Sequence, residues 1–178
     1  MSENQKIVLL DRDGTVLVEP PTLDVKLSDF ALFPDTLAAL TRLAQAGYKA
    51  VFVSNQLGIA ERDLTWEEYE ATNQKMLEAI KPAGLEVLKI YTCPHSDSDN
   101  CVCRKPKPGM LQWAIEEFQL DPNGTYFIGD NLTDVEAGVA AGTETILLRQ
   151  GNSHDETDKA TFIADNLSQA VDYIVDRG

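Results

Sequence analysis

A chain of 178 residues with 43% hydrophobic and 25% charged residues suits one soluble domain with room for a sizeable core. Its net charge of −14 argues against nucleic acid or an anionic membrane as partner, since both are gripped by Lys and Arg on phosphates. No stretch approaches the roughly 20 apolar residues of a membrane span, and Met1-Ser2-Glu3-Asn4-Gln5-Lys6 lacks a secretory signal's basic and apolar regions, so a cytoplasmic home is expected.

Ile7-Val8-Leu9-Leu10 reads as a short buried strand that delivers two carboxylates, Asp11 and Asp13, just past its end. An irregular stretch containing Pro20-Pro21 follows. A helix is expected from about Asp35, an N-cap after Pro34, to a stop at Gly47, with Leu37, Leu40, Leu43 and Ala44 on one face. Ala50-Val51-Phe52-Val53 is a strand, followed by the polar turn Ser54-Asn55-Gln56. Thr65-Trp66-Glu67-Glu68 has capping-box spacing and opens a helix that ends near Pro82-Ala83-Gly84. Glu86 to Thr92 reads as a third strand. Pro108 to Phe118 is a helix whose Met110, Leu111, Ala114, Ile115 and Phe118 share a face. Thr125-Tyr126-Phe127-Ile128 is a strand ending in Gly129-Asp130, and a short helix from Thr133 to Ala141 and a strand from Thr145 to Leu148 follow. The polar tail from Gly151 ends in an amphipathic helix from about Ser168.

Strands alternating with helices imply an α/β fold, a doubly wound parallel sheet with helices on both faces. One domain is expected over residues 1–178, with a core at about 6–150 and a strand/helix tail at 151–178. Such sheets bind ligands beyond the carboxyl ends of their strands. Asp11 and Asp13, Ser54 and Asn55, and Asp130 and Asp134 all fall there.

Asp-x-Asp-Gly-Thr alone also fits a plain turn. Several carboxylates meeting in one crevice, however, repel each other unless a cation holds them, and carboxylate oxygens with water suit Mg²⁺, which also takes phosphate oxygens. Beside Mg²⁺, Asp11 becomes usable as a nucleophile toward phosphorus. Asp13 is placed to act as general acid and then base. Ser54 and Asn55 offer donors to phosphate, and Arg104 and Lys105 offer cations between prolines. With His95 among the cysteines and His154 remote from any motif, a nucleophilic histidine is not expected.

All three cysteines lie within eleven residues. Cys93, His95, Cys101 and Cys103 form a ligand set for a closed tetrahedral Zn²⁺. Buried or redox-active cysteines are the alternative. A closed zinc would be structural, folding a polar loop and holding Arg104 and Lys105 at the crevice.

Asp11-Arg12-Asp13-Gly14-Thr15, Ser54-Asn55-Gln56, Arg104-Lys105-Pro106 and Gly129-Asp130 with Asp134 resemble, in order and spacing, the haloacid dehalogenase (HAD) superfamily of phosphatases. The likeness spans roughly residues 6 to 150. It implies a Rossmann-like core, with Asp11 as nucleophile, Asp13 as acid/base, and Ser54 and Lys105 as phosphate binders. It also implies Asp130 and the Asp13 carbonyl as further Mg²⁺ ligands, and Asp134 as the residue orienting the loop. The cysteine cluster is similar to that of the small branch without a large cap domain, which includes histidinol-phosphate and D-glycero-D-manno-heptose 1,7-bisphosphate phosphatases.

Glu19-Pro20-Pro21 and the five residues between His95 and Cys101 favour histidinol phosphate, whose ammonium Glu19 or Asp24 could pair. Gly58-Ile59-Ala60 and Lys105 to Leu111 favour the heptose branch, although Glu61 stands where that branch has Arg, Arg62 is flanked by acids, and Pro34-Asp35 replaces Pro-Gly. Histidinol phosphate is ranked first, then the heptose bisphosphate or another sugar phosphate, in a monomer with an open site. A zinc-stabilised protein that binds a phosphorylated ligand without turnover is the reading from another class, and a phosphotransferase is a third.

Overall fold

The computed structural model describes residues 5–19, 30–150 and 157–178. Pro20-Pro21, Asp24 and His154 lie outside the described residues. The strands are β1 (Ile7–Leu10), β2 (Lys49–Asn55), β3 (Val87–Cys93), β4 (Tyr126–Gly129), β5 (Glu144–Leu148) and β6 (Phe162–Ala164). The helices are α1 (Thr36–Gln45), α2 (Leu57–Glu61), α3 (Trp66–Ile80), α4 (Gly109–Phe118), α5 (Leu132–Ala141) and α6 (Leu167–Val175). All strands pair parallel, in the order β3-β2-β1-β4-β5-β6. This is the doubly wound sheet expected from the sequence, with no inserted cap domain among the described residues. The order in which successive strands are laid down reverses between β1 and β4, where such folds open a crevice.

The period of two along each strand divides the core. Val8, Leu10, Phe52 and Ile128 face one side, with Leu40 and Leu43 of α1, Met76 and Ile80 of α3, and Val171 and Ile174 of α6. Ile7, Leu9, Val51, Val53 and Phe127 face the other, with Met110, Leu111 and Ala114 of α4 and Ala137 of α5. Strands buried on both faces explain the unbroken apolar runs in the sequence. Truncating one of these side chains, such as Leu40→Ala, should cost about 2–5 kcal/mol.

Local signals held where they were short-ranged. The Thr65–Glu68 capping box forms, with the Glu68 amide donating to Thr65 Oγ1 at 3.2 Å and the Thr65 amide to Glu68 Oε2 at 2.9 Å. Asp35 precedes α1 as expected but makes no cap bond there. Its carboxylate instead accepts the Ser168 amide at 2.9 Å, satisfying a free donor in the first turn of α6. Leu37, expected on the buried face, is 39% exposed, because α1 turns Ala39, Leu40 and Leu43 to the sheet. The short helix α2 was not anticipated; it follows the polar turn and stops at Arg62, whose φ is 64°. No helix among the described residues is long and apolar enough to cross a membrane.

Candidate active site

The alternation of β1 continues into the residues after it. Ile7 and Leu9 face α4 and α5, and Asp11 follows on that side, where it meets Lys105 and Asp134. The Asp11 amide donates to the Ile128 carbonyl at 2.8 Å, so β1 and β4 stay joined up to the crevice. Lys105 is buried, and its Nζ lies 2.6 Å from Asp11 Oδ1, 2.6 Å from Asp134 Oδ1 and 3.0 Å from the Val53 carbonyl. Burial lowers the pKa of this ammonium, but the two carboxylates outweigh burial and hold it above the ordinary lysine value.

Asp11 and Asp130 are both buried at the strand ends. Burial pushes the Asp11 carboxyl up from 3.8 to about 7; Lys105 pulls it down, and Asp134 and Asp13 push it further up. Asp130 has no ion pair among the described residues. Burial pushes it up to about 9, with Asp11, Asp134 and Glu19 adding to the effect and Lys105 opposing it. Oxygens of Asp11, Asp130 and Asp134 lie within 4.8 Å of one another. Ionised together, three buried carboxylates against one ammonium would carry an excess of negative charge that a hard cation in place of their protons would balance, so the residues fit Mg²⁺.

Asp134 differs from the other two. Its Oδ1 faces Lys105, and its Oδ2 accepts the Asn131 amide at 3.1 Å in the capping box of α5. Both oxygens are therefore engaged, as suits a residue that orients the site. Two glycines let these acids approach. Gly14 has φ +80°, and a Cβ there would stand 2.1 Å from Asp130 Oδ2; a Cβ on Gly129 would stand 2.4 Å from Asp134 Cγ.

Asp13 faces away from the acidic group. Gln56 Nε2 donates to its Oδ2 at 2.7 Å, the Arg12 guanidinium forks onto it, and the Ser54 hydroxyl lies 3.4 Å away. Gln56 Nε2 also donates to Ser54 Oγ at 2.8 Å. The sequence placed Arg12 and Gln56 within the motifs but gave neither a role of its own. The only signal available was that both are polar residues next to strand ends.

Two expected phosphate binders are engaged elsewhere. The Asn55 side chain brackets the backbone of Lys105, donating to its carbonyl at 3.0 Å and accepting its amide at 3.1 Å. It fixes the lysine's loop. Arg104 donates to Asp97 Oδ1 at 2.5 Å and to the His95 carbonyl at 3.2 Å, which holds its guanidinium on the cysteine loop.

That loop gathers Cys93, His95, Cys101 and Cys103, with one ligand atom of each within 4.8 Å of the others. The sulfur–sulfur separations are 3.7, 3.2 and 3.4 Å, and His95 Nδ1 lies 3.6 Å from Cys93 Sγ and 3.3 Å from Cys103 Sγ. A tetrahedral zinc with ~2.3 Å bonds to sulfur needs edges near ~3.8 Å, so the set closes around Zn²⁺ with a small expansion. Gly109 fits the same loop to α4, since a Cβ there would meet the Val102 carbonyl oxygen at 2.3 Å.

Known proteins resemble this chain in sequence and fold. A profile of the HAD-hydrolase-like family matches residues 102–170. D-glycero-beta-D-manno-heptose-1,7-bisphosphate 7-phosphatases of Pseudomonas putida and Pseudomonas aeruginosa are 32% and 33% identical, over 92% and 93% of this chain and 95% of each relative. The histidine biosynthesis bifunctional protein HisB of Campylobacter jejuni subsp. doylei is 37% identical over 74% of this chain and 38% of its own length. The crystal structure of a D,D-heptose 1,7-bisphosphate phosphatase from B. bronchiseptica, complexed with magnesium and phosphate, superposes with a TM-score of 0.91 at 29% identity, covering 97% of this chain and 99% of that one. A parallel sheet with acids at its switch point, in a chain 32–33% identical to phosphatases over 92–93% of its length, makes this chain a member of the HAD-like hydrolase family and a phosphatase.

Proposed function

We propose that the chain is a Mg²⁺-dependent phosphomonoesterase that removes the 7-phosphate of a heptose 1,7-bisphosphate through an aspartyl-phosphate on Asp11. The observation that carries the substrate is end-to-end likeness: relatives bearing that name cover 92–93% of this chain and 95% of themselves, whereas the HisB match covers 74% of this chain. The likeness reverses the order suggested by Glu19-Pro20-Pro21 and the short cysteine loop. A histidinol phosphate reading keeps the 37% identity over 135 residues in its favour.

In this reading Asp11, Asp130 and the Asp13 carbonyl hold Mg²⁺, with Asp134 orienting them. When bound, the ion offsets the repulsion between a phosphate dianion and the attacking carboxylate. An Asp11 oxygen attacks phosphorus while Lys105, tied to Asp11 and Asp134, offsets charge on the phosphoryl oxygens. The bond from phosphorus to the leaving oxygen breaks, and Asp13 gives that oxygen its proton. Asp13 then takes a proton from water, the water oxygen attacks phosphorus, and the bond to Asp11 breaks, releasing phosphate. Ser54 and the backbone amides after β2 are donors for the phosphate. Zn²⁺ in the Cys93-His95-Cys101-Cys103 set stiffens the loop that carries Lys105.

The test is a kinetic panel of the heptose bisphosphate, its monophosphates, histidinol phosphate and simple sugar phosphates, with Mg²⁺. The bisphosphate is expected to give the highest kcat/KM. A higher value for histidinol phosphate overturns the substrate assignment.

A further inference from the structure

Arg12 sits between two acids, where any spacer would serve, yet among the described residues it is the largest of the fully buried side chains, at 1% exposure. Continuing the alternation of β1, it leaves Asp11 on one side of the sheet and points to the other, toward α3. There its guanidinium lies 4.8 Å from the centre of the Tyr69 ring, and its Nη1 donates to Asn73 Oδ1 at 2.6 Å. Tyr69 is tied in turn to β3, its hydroxyl 2.6 Å from Thr92 Oγ1. Burying a guanidinium is costly, and an apolar side chain of similar volume would fill this space with less desolvation. What the charge adds is a fixed, planar set of donors aimed at Asp13.

Those donors treat the two oxygens of Asp13 differently. Oδ2 has Arg12 Nε at 3.0 Å, Arg12 Nη2 at 2.9 Å and Gln56 Nε2 at 2.7 Å. Among the described residues, Oδ1 has only Arg12 Nη2, at 3.2 Å. We propose that Arg12 is a positioning residue for Asp13: with Gln56 it anchors Oδ2, which leaves Oδ1 as the oxygen that passes the proton. The Asn73 and Tyr69 contacts make α3 the support of this anchor. The inference rests on the reading of Asp13 as acid/base given above.

Leaving-group dependence tests it. A sugar phosphate expels an alkoxide that needs a proton; 4-nitrophenyl phosphate expels a stable phenolate that does not. In Arg12→Met, steady-state kcat on the sugar phosphate should fall about 10–100-fold, part of the ~10²–10⁴ that a placed acid/base contributes, with KM changed by less than about 3-fold. With 4-nitrophenyl phosphate the first turnover should remain fast and appear as a burst of nitrophenolate, followed by slow release of phosphate from the enzyme. Arg12→Lys keeps the charge but not the fork, and should show the same split. If Arg12→Met does not fold, as judged by its melting curve, Arg12→Lys and Asn73→Ala carry the test. Asp13→Ala is measured beside them. If Asp13→Ala shows the split while the Arg12 variants stay within about 2-fold of the parent or lose both substrates equally, the positioning role is overturned and the acid/base reading stands. If Asp13→Ala shows no split, both fall.

Discussion

Replacing Gly14 with alanine isolates one contact on which the site depends. Gly14 has φ +80°, and an added Cβ would lie 2.1, 2.4 and 2.6 Å from Oδ2, Cγ and Oδ1 of Asp130, distances that real Cβ atoms essentially never show. Gly47 provides the control, since its φ is +82° and a Cβ there meets nothing within 4 Å. Both substitutions carry the cost of a left-handed alanine, about 1–2 kcal/mol, which at about 2–4 °C per kcal/mol lowers Tm by roughly 2–8 °C. Only Gly14→Ala must also move the Asp130 carboxylate, by about 1 Å to reach ordinary contact. Displacements of that size near reacting groups can cost ~10²-fold, and disturbed ligand shells typically lose ~10–100-fold in metal affinity. The expected result is therefore matched Tm shifts, with kcat/KM down about 10²-fold and the Mg²⁺ concentration for half activity up about 10–100-fold in Gly14→Ala alone. Thermal melts and Mg²⁺ titrations of activity read both effects. If Gly14→Ala keeps the kinetics of Gly47→Ala, Asp130 is not where the account needs it to be.

Zinc should be found at about one per chain. Cys103→Ser should lower Tm by more than about 4 °C, the equivalent of at least 1–2 kcal/mol, and kcat should fall because Lys105 lies two residues beyond Cys103. A folded, fully active protein free of zinc would contradict the loop's role. Stability in Mg²⁺-free buffer should depend on pH with a definite sign. Folding raises Asp11 from 3.8 to about 7 and Asp130 from 3.8 to about 9, so the folded state keeps protons that the unfolded state has lost. Stability from this pair is full below about pH 3.8 and is lost as pH rises through about 7 and then about 9. Tm should thus fall as the pH is raised from the mildly acidic range to about 9, and Mg²⁺ or Asp130→Asn should flatten the slope. A Tm that rises over this interval, with no response to Mg²⁺, would oppose the reading.

The legible parts of the chain were those encoded within a few residues. Ile7–Leu10 and Tyr126–Gly129 are apolar runs followed at once by an acid, so a parallel sheet predicts both strands and the crevice where Asp11 and Asp130 meet. The cysteine cluster was visible because its four ligands lie within eleven residues. What escaped depends on partners far along the chain. Arg12 meets Asn73, 61 residues away, through sheet order and helix placement that no local pattern specifies, whereas Lys105 reaches the crevice where it was expected, on Asp11. Asn55, expected as a phosphate binder, also braces the Lys105 backbone from 50 residues away, a contact its residue type does not announce. Leu37 fits an apolar stripe by periodicity, but which 100° of that stripe is covered depends on how α1 sits on the sheet and on α6.

The central claim is that Asp11 carries the phosphoryl group between substrate and water. The direct measurement is rapid acid quench of the Mg²⁺-loaded Asp13→Asn variant during turnover of 4-nitrophenyl phosphate, followed by peptide mass spectrometry. Loss of the base should slow the second step and let the intermediate accumulate. The account predicts one phosphoryl group on the peptide containing residues 7–15, mapped to Asp11 and absent from Asp11→Asn. A phosphoryl group on another residue, or turnover by Asp11→Asn near the parent rate, would contradict it.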